Sequence, residues 1–277
     1  MMFPRCRMKE IHECSWCPGI IRDGVTDFLS FFAAFSGIRR KAYERIARMF
    51  PESGAVRIVE LCGGSGFGAL HILRSFKTVS PGREISAEIT DINANGNWPQ
   101  VVKMSGGALS ADEIDAESAL ERKEGLFVMF AALHHFSPSE IASLVKTAAA
   151  NGRDAVLVDY FRRGRPVDLF PLLTGPALMF VSAPLVFPFS WKRVLLTWVV
   201  PVLPLTLFLD TAISMLRSYT CGELRKIVDA ADLPAGVKTE VFELTDAGGV
   251  IKMPTVVIRA GIYGPEGRGR KKKGTEK

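Results

Sequence analysis

The stretch Val56-Arg57-Ile58-Val59-Glu60-Leu61-Cys62-Gly63-Gly64-Ser65-Gly66-Phe67-Gly68 decides how this chain is read. Val56 to Leu61 is a short β-branched run of the kind that forms a buried strand, and Ala69 to Phe76 reads as a helix. The glycines between them let the backbone turn tightly and approach a ligand, while the helix points its free N–H groups into the same space. The spacing fits the dinucleotide pattern G-x-G-x-x-G poorly, and the absence of G-x-x-x-x-G-K-[ST] excludes a P-loop. Such a turn suits a nucleoside cofactor, although ordinary strand-to-helix turns also use glycine.

Outward from this unit, strands and helices alternate. Upstream, Gly24 to Phe50 reads as one helix, broken by Pro51-Glu52-Ser53-Gly54. Downstream, a second strand from Glu84 to Thr90 ends at Asp91, and a third unit with a poor pattern lies near Ala108 to Ala116. Leu126 to Ala132 is a fourth strand, and Ser137-Pro138-Ser139-Glu140 carries the cap, the N1 proline and the early acid of a helix start. That helix runs to about Ala150, Asn151-Gly152 turns the chain, and Ala155 to Tyr160 makes a fifth strand. Thr220 caps a helix to Ala231. Val237 to Leu244 and Thr255 to Ile262 then form an antiparallel pair around the turn Asp246-Ala247-Gly248-Gly249. The order implies an α/β fold: a doubly wound, mostly parallel Rossmann-like sheet with an antiparallel C-terminal strand.

The alternation fails after Arg165. Leu169 to Trp191 is uncharged but holds Pro171, Pro176, Pro184 and Pro188; Val194 to Leu209 is again uncharged, with Pro201 and Pro204. Prolines at this density argue against straight membrane-spanning helices and favour broken helices forming an apolar cap with an interfacial membrane contact. The segments are therefore 1–53, an N-terminal helical cap; 54–165, the cofactor-binding core; 166–218, the apolar helical insert; 219–263, completion of the core; and 264–277, a solvated basic tail. The tail holds six basic and two acidic residues, so +4 of the chain's net charge of +6 sits there. Away from it the charge is nearly balanced, which weakens any nucleic-acid reading. Met1 to Glu10 carries Arg5, Arg7 and Lys9 without an apolar run, so no signal peptide is expected and the cytoplasm is the expected compartment, with peripheral contact at the inner membrane face through 166–209 and the tail. Five irregularly spaced cysteines then read as reduced thiols. The lone Cys14-Ser15-Trp16-Cys17 has only His12 and Cys6 nearby, so no metal is expected.

Asp91 gives the glycine turn its meaning. Ligands of a doubly wound sheet bind at the carboxyl ends of the strands, where an acid can accept both hydroxyls of a ribose. With these residues in place, Val59-Glu60-Leu61-Cys62-Gly63-Gly64-Ser65-Gly66 is similar to motif I of the class I S-adenosylmethionine-dependent methyltransferases. Glu60, Gly64 and Gly66 match that motif, and Cys62 replaces its first glycine. Thr90-Asp91-Ile92-Asn93 resembles motif II, Asp115-Ala116 resembles the segment near the adenine, and Phe130-Ala131-Ala132-Leu133-His134-His135-Phe136 resembles the motif after strand four. Resemblance to a bacterial subgroup continues through Arg22-Asp23-Gly24-Val25-Thr26-Asp27 and Leu216-Arg217-Ser218-Tyr219-Thr220. The resemblance implies S-adenosylmethionine as cofactor, held by Glu60, Cys62, Gly63, Gly64, Gly66, Asp91, Ile92, Asp115, Ala116 and Ala131.

His134, His135 and Tyr160 stand at the edge where an acceptor would meet the methyl group. Histidine titrates near neutral pH and can act as a base, and neighbours in extended chain point to opposite sides, so one histidine is expected to face the cleft. An Arg217 and Tyr219 pair on a helix reads as a structural anchor. The expected function is methyl transfer to a small hydrophobic acceptor (an isoprenoid, quinone, lipid or aromatic metabolite) shielded by the insert. Two readings compete. A membrane-associated, non-catalytic protein of the same fold is disfavoured by the intact Glu60, Gly64, Gly66 and Asp91 set. A nucleic-acid methyltransferase lacks an Asn-Pro-Pro-Tyr-like motif.

Overall fold

The computed structural model describes residues 5–50, 54–164, 169–245 and 251–261. The expected turn at Asp246 to Gly249, residues 51–53 of the upstream break, and the basic tail lie outside the described residues. The single helix expected over Gly24 to Phe50 is two helices, α1 (Gly19–Phe35) and α2 (Ile38–Arg48). Gly37, at φ +68°, takes the left-handed conformation that separates them and that a Cβ would oppose. The apolar residues of α1 and the basic residues of α2 thus lie on separate helices.

The core then alternates as expected: β1 (Val56–Leu61), α3 (Phe67–Val79), β2 (Ile85–Asp91), α4 (Trp98–Met104), β3 (Leu109–Glu113), α5 (Ala116–Arg122), β4 (Leu126–Phe130), α6 (Pro138–Ala150) and β5 (Asp154–Val158). Ser137 caps α6 in a reciprocal capping box with Glu140. The poor pattern near Ala108 has a physical cause: β3 is an edge strand, buried at Leu109 and exposed at Ser110, Ala111 and Glu113. β4 and β5 are central and buried along their whole length, and Leu126 to Phe130 and Ala155 to Val158 read as continuous apolar runs instead. Helices α4 and α5 were not legible, each being only seven residues long.

After β5 the chain forms α7 (Leu169–Ser182), α8 (Trp191–Trp198) and α9 (Val202–Arg217), then α10 (Cys221–Asp229), β6 (Lys238–Thr245) and β7 (Lys252–Arg259). The seven-stranded sheet has the order β3-β2-β1-β4-β5-β7-β6. Its first five strands run parallel, and β7 enters antiparallel between β5 and β6. The antiparallel C-terminal pair read from the sequence is β6 and β7. The order reverses between β1 and β4, opening a crevice at their carboxyl ends.

The insert is docked, not free. Met179, Val186, Leu203 and Leu207 form a small core with Val25 and Phe28 of α1, and Arg193 of α8 pairs with Asp27 of α1 at 2.9 Å. Its outer side carries most of the exposed large apolar residues among those described, including Leu173, Val181, Leu185, Phe189, Trp191 and Val199. No single helix among the described residues is long and apolar enough to cross a membrane; α8 and α9, bent by 76°, meet the length and composition requirement only together.

Candidate active site

A cavity of about 1170 Å³ opens at the carboxyl ends of β1, β2, β4 and β5, roofed by α1, the segment 5–13 and the inner side of α7 and α9. At one end is the glycine turn. Gly64 and Gly66 have φ of +53° and +80°, and a Cβ on Gly63 would stand 2.6 Å from Ile89. Cys62, where the resembled motif has glycine, holds the left-handed conformation at φ +54°, an arrangement that costs about 1–3 kcal/mol. Burial pushes its thiol up, so it stays protonated and unreactive. Asp91 ties the turn to β2: its Oδ2 accepts from the Gly64 N–H at 3.0 Å and its Oδ1 from the Asn93 N–H at 3.0 Å. Ile92 and Ala116 also line this end. Asp115 lines it too, with its carboxylate capping α5 through the Ser118 N–H.

Two residues of the sequence-derived cofactor set do not face the cavity. Glu60 lies beneath the turn, accepting from the Tyr43 hydroxyl at 3.0 Å. A Cβ on Gly68 would meet its Oε1 at 2.1 Å, so that glycine makes room for the acid. Burial pushes Glu60 up to about 7 against the pull of Arg39 and Tyr43. Gly66 packs against Ile89 and Trp98, whose indole N–H donates to the Gly64 carbonyl at 2.8 Å. Both residues shape the turn rather than line it.

The histidines depart from expectation. Leu133 to His135 is a 3-10 turn, so His134 and His135 lie side by side, ring centroids 4.3 Å apart, instead of on opposite faces. His134 Nδ1 is 2.7 Å from Asp159 Oδ1, and its Nε2 is 3.4 Å from Glu10 Oε1. Burial opposes its charge, but the two carboxylates prevail and raise it to about 10. His135 is lowered by burial and by the adjacent His134 cation, against the pull of Glu10 and Glu13; its Nδ1 lies 2.8 Å from Glu13 Oε1. At neutral pH the first is an imidazolium and the second a neutral base. Tyr160 also lines the cavity, two residues beyond the end of β5 rather than within it.

The partners of these histidines come from the far ends of the chain. Glu10 accepts from Ser214 at 2.8 Å, Arg217 pairs with Glu13, and Asp210 accepts from His12 Nδ1 at 2.9 Å. Arg5 closes the group by donating to the carbonyls of Arg217, His134 and Phe136, over the face of Tyr219. Tyr219 donates to the Phe136 carbonyl at 2.8 Å, the anchoring role read from the sequence. Glu10, His12 and His135 bring ligand atoms within 4.8 Å of one another. Arg217, 3.9 Å from Glu10, already supplies a cation there, and both imidazole Nδ1 atoms are engaged by carboxylates, so the arrangement assigns no metal. Sequence reasoning missed Glu10, Glu13, Asp210 and Ser214, because contacts across 204 residues leave no local pattern.

No protein-family profile and no curated protein matches the sequence. Solved structures do. The plantazolicin methyltransferase BamL, in complex with a triazolic desmethylPZN analogue and SAH, is 11% identical with a TM-score of 0.56, over 90% of this chain and 98% of that one. Human N-acetylserotonin methyltransferase with SAM is 14% identical (TM-score 0.48) over 87% of this chain, and the mitomycin 7-O-methyltransferase MmcR 13% identical (TM-score 0.49) over 83%. The chain spans only 58% and 56% of the lengths of these two. The likeness to the first, end to end in both chains, establishes the class I methyltransferase fold.

Proposed function

We propose that this chain is an S-adenosylmethionine-dependent methyltransferase acting on a small, hydrophobic acceptor. The observation that carries this reading is the Gly64 N–H bonded to Asp91 at the floor of a cavity that continues to His135. The backbone at Cys62, Gly63 and Gly64 is bare where a nucleoside would approach, and Asp91 keeps lone pairs on both oxygens for ribose hydroxyls. Ile92, Ala116 and Ala131 supply the remaining cofactor contacts; Glu60 and Gly66 support the turn from below. The cofactor, when bound, supplies an electrophilic methyl group on a sulfonium.

The chain's own residues do the rest. Phe28, Leu29, Phe32, Phe161, Pro171 and Leu207 wall the acceptor side and exclude water. His135, neutral and held by Glu13, takes the acceptor's proton as the new bond forms; His134, already charged, cannot. Tyr160 contributes a wall and a hydroxyl to the acceptor pocket.

Calorimetric titration with S-adenosylhomocysteine tests the cofactor site. Asp91→Ala should weaken binding at least ~10-fold, about 1.4 kcal/mol, given two lost hydrogen bonds to a charged acceptor. Absence of binding by folded wild-type protein would sink the reading.

The exposed apolar side of the insert supports peripheral contact with a lipid surface, from which a lipophilic acceptor would enter between α7 and α9. Flotation with anionic phospholipid vesicles checks this. The protein should float with the vesicles, and the double variant Val181→Asp and Val199→Asp should stay behind with an unchanged thermal midpoint; equal flotation would remove the insert from the contact.

A further inference from the structure

We propose that His12 is a second acceptor-binding residue: with Thr211 it holds a carbonyl oxygen of the acceptor beside the hydroxyl that gives its proton to His135. The acceptor class this selects is a phenol or enol with its reacting hydroxyl ortho to a carbonyl group. The inference rests on the methyl-transfer reading and names the acceptor for that site. His12 lies in the 3-10 turn Ile11–Glu13, lines the cavity and meets the His135 ring edge-on, with centroids 5.6 Å apart. Both rings turn the same nitrogen to the protein. His12 Nδ1 is 2.9 Å from Asp210 Oδ2, and His135 Nδ1 is 2.8 Å from Glu13 Oε1. Nε2 of each has no hydrogen-bond partner among the described residues and is reached from the cavity. His134 differs, with a carboxylate at both ring nitrogens.

Helix α9 supplies the third group. Leu207, Asp210, Thr211 and Ser214 line the cavity at helical spacing, apolar at Leu207 and polar beyond it. Asp210 is occupied by His12 and by the N–H groups of Ile11 and His12, and Ser214 by Glu10 and the Asp210 carbonyl. Thr211 is only 7% exposed, and its hydroxyl has no hydrogen-bond partner among the described residues. A hydroxyl so placed is a donor to whatever fills the cavity. Pro171, Gly175 and Leu207 take the apolar end of the acceptor, which sets its oxygens toward Thr211, His12 and His135.

The two rings differ in charge. Burial opposes a charge on His12, but Asp210, Glu10 and Glu13 prevail and raise it above the ordinary histidine value, whereas His135 moves below that value. His12 therefore still carries a proton on Nε2 where His135 has lost its own. One ring donates and the other accepts, which matches a carbonyl beside a hydroxyl. In solution such a hydroxyl donates to its neighbouring carbonyl. Here His12 and Thr211 donate to the two lone pairs of that oxygen, and the hydroxyl turns its proton to His135. The hydroxyl oxygen then bonds to the methyl carbon as the carbon–sulfur bond breaks with its electron pair left on sulfur. The proton passes to His135 Nε2, and His12 keeps its own. Glu10, Glu13, Asp159 and Asp210 already offset His12, His134, Arg217 and Arg5, so a neutral carbonyl suits the site better than a carboxylate.

Calorimetry with saturating S-adenosylhomocysteine tests this on wild type, His12→Phe and Thr211→Val, using two probes of matched shape. These are 2-hydroxybenzophenone, with the carbonyl beside its hydroxyl, and 2-benzylphenol, in which a methylene replaces that carbonyl. Wild type should bind the ketone at least ~10-fold more tightly, the effect of a hydrogen bond from a charged donor. His12→Phe should remove that preference by weakening the ketone alone, and Thr211→Val should reduce it by ~2- to 10-fold. A merely structural role for His12 would weaken both probes alike, and that result overturns the proposal. So does a wild type, loaded with S-adenosylhomocysteine, that binds the two probes equally or binds neither. Should wild type bind no S-adenosylhomocysteine, the methyl-transfer reading fails first and the acceptor site falls with it. Thermal midpoints report folding, and Thr211→Val, a change that keeps the shape of the side chain, decides the question if His12→Phe does not fold.

Discussion

His135→Gln is expected to lower kcat by roughly 10²- to 10⁴-fold, the range that loss of a positioned general base produces. S-adenosylhomocysteine affinity should be unchanged, since the side chain lies past β4, away from Asp91. The pH profile distinguishes loss of the base from loss of shape. A base acts unprotonated, and His135 is displaced below its ordinary value of 6.5 by burial and by the His134 cation. The wild-type rate should therefore hold through neutrality and fall only as pH drops below the ordinary histidine range. The glutamine variant, which has nothing to titrate there, should lack that acid limb. Glu13→Gln should retain the limb at a shifted position, because the carboxylate that raises and orients His135 is gone. Full activity in His135→Gln, or an unchanged acid limb, would remove His135 as the base.

Arg193→Met is expected to cost about 3–5 kcal/mol of stability, the consequence of leaving one member of a buried ion pair without its partner. Arg193 is 3% and Asp27 6% exposed, and the pair joins the insert to α1. Arg193 also donates to the carbonyls of Val186 and Pro188, so the loop between α7 and α8 loosens with it. The loss should depend on pH. Burial raises Asp27 from 3.8 to about 6 even beside Arg193, with Asn97 donating to it. Its folded value lies above its unfolded one, so the folded state binds the extra proton between about pH 4 and 6. Stability from this group is then greatest below that window and declines as pH rises through it. Without the cation Asp27 moves higher still, so urea denaturation should show a larger loss at pH 8 than at pH 5. The double variant Asp27→Asn with Arg193→Met should recover part of it. A pH-independent loss would mean that Arg193 acts through packing alone.

The site was legible in the sequence where its chemistry is local. Cys62 to Gly66 follows β1 directly, and Asp91 closes β2, so strand periodicity alone brought them to one edge. Periodicity did not distinguish residues that line the turn from those that support it. Glu60 and Gly66 belong to the motif yet face away from the cavity, which depends on the rotation of the turn and not on spacing. The alternation assumed for His134 and His135 holds in extended chain; the 3-10 turn replaced it and set both rings side by side.

The sequence by itself determined the parallel sheet, the glycine turn, the acid that meets it and the broken apolar insert, because each depends on residues within a few positions or on a strand's regular repeat. Only the tertiary structure decided which histidine stays neutral and which residues orient it. Those properties arise where residues 5–13, α1, the loop after β4 and α9 converge, and a charge buried there takes its state from neighbours in space.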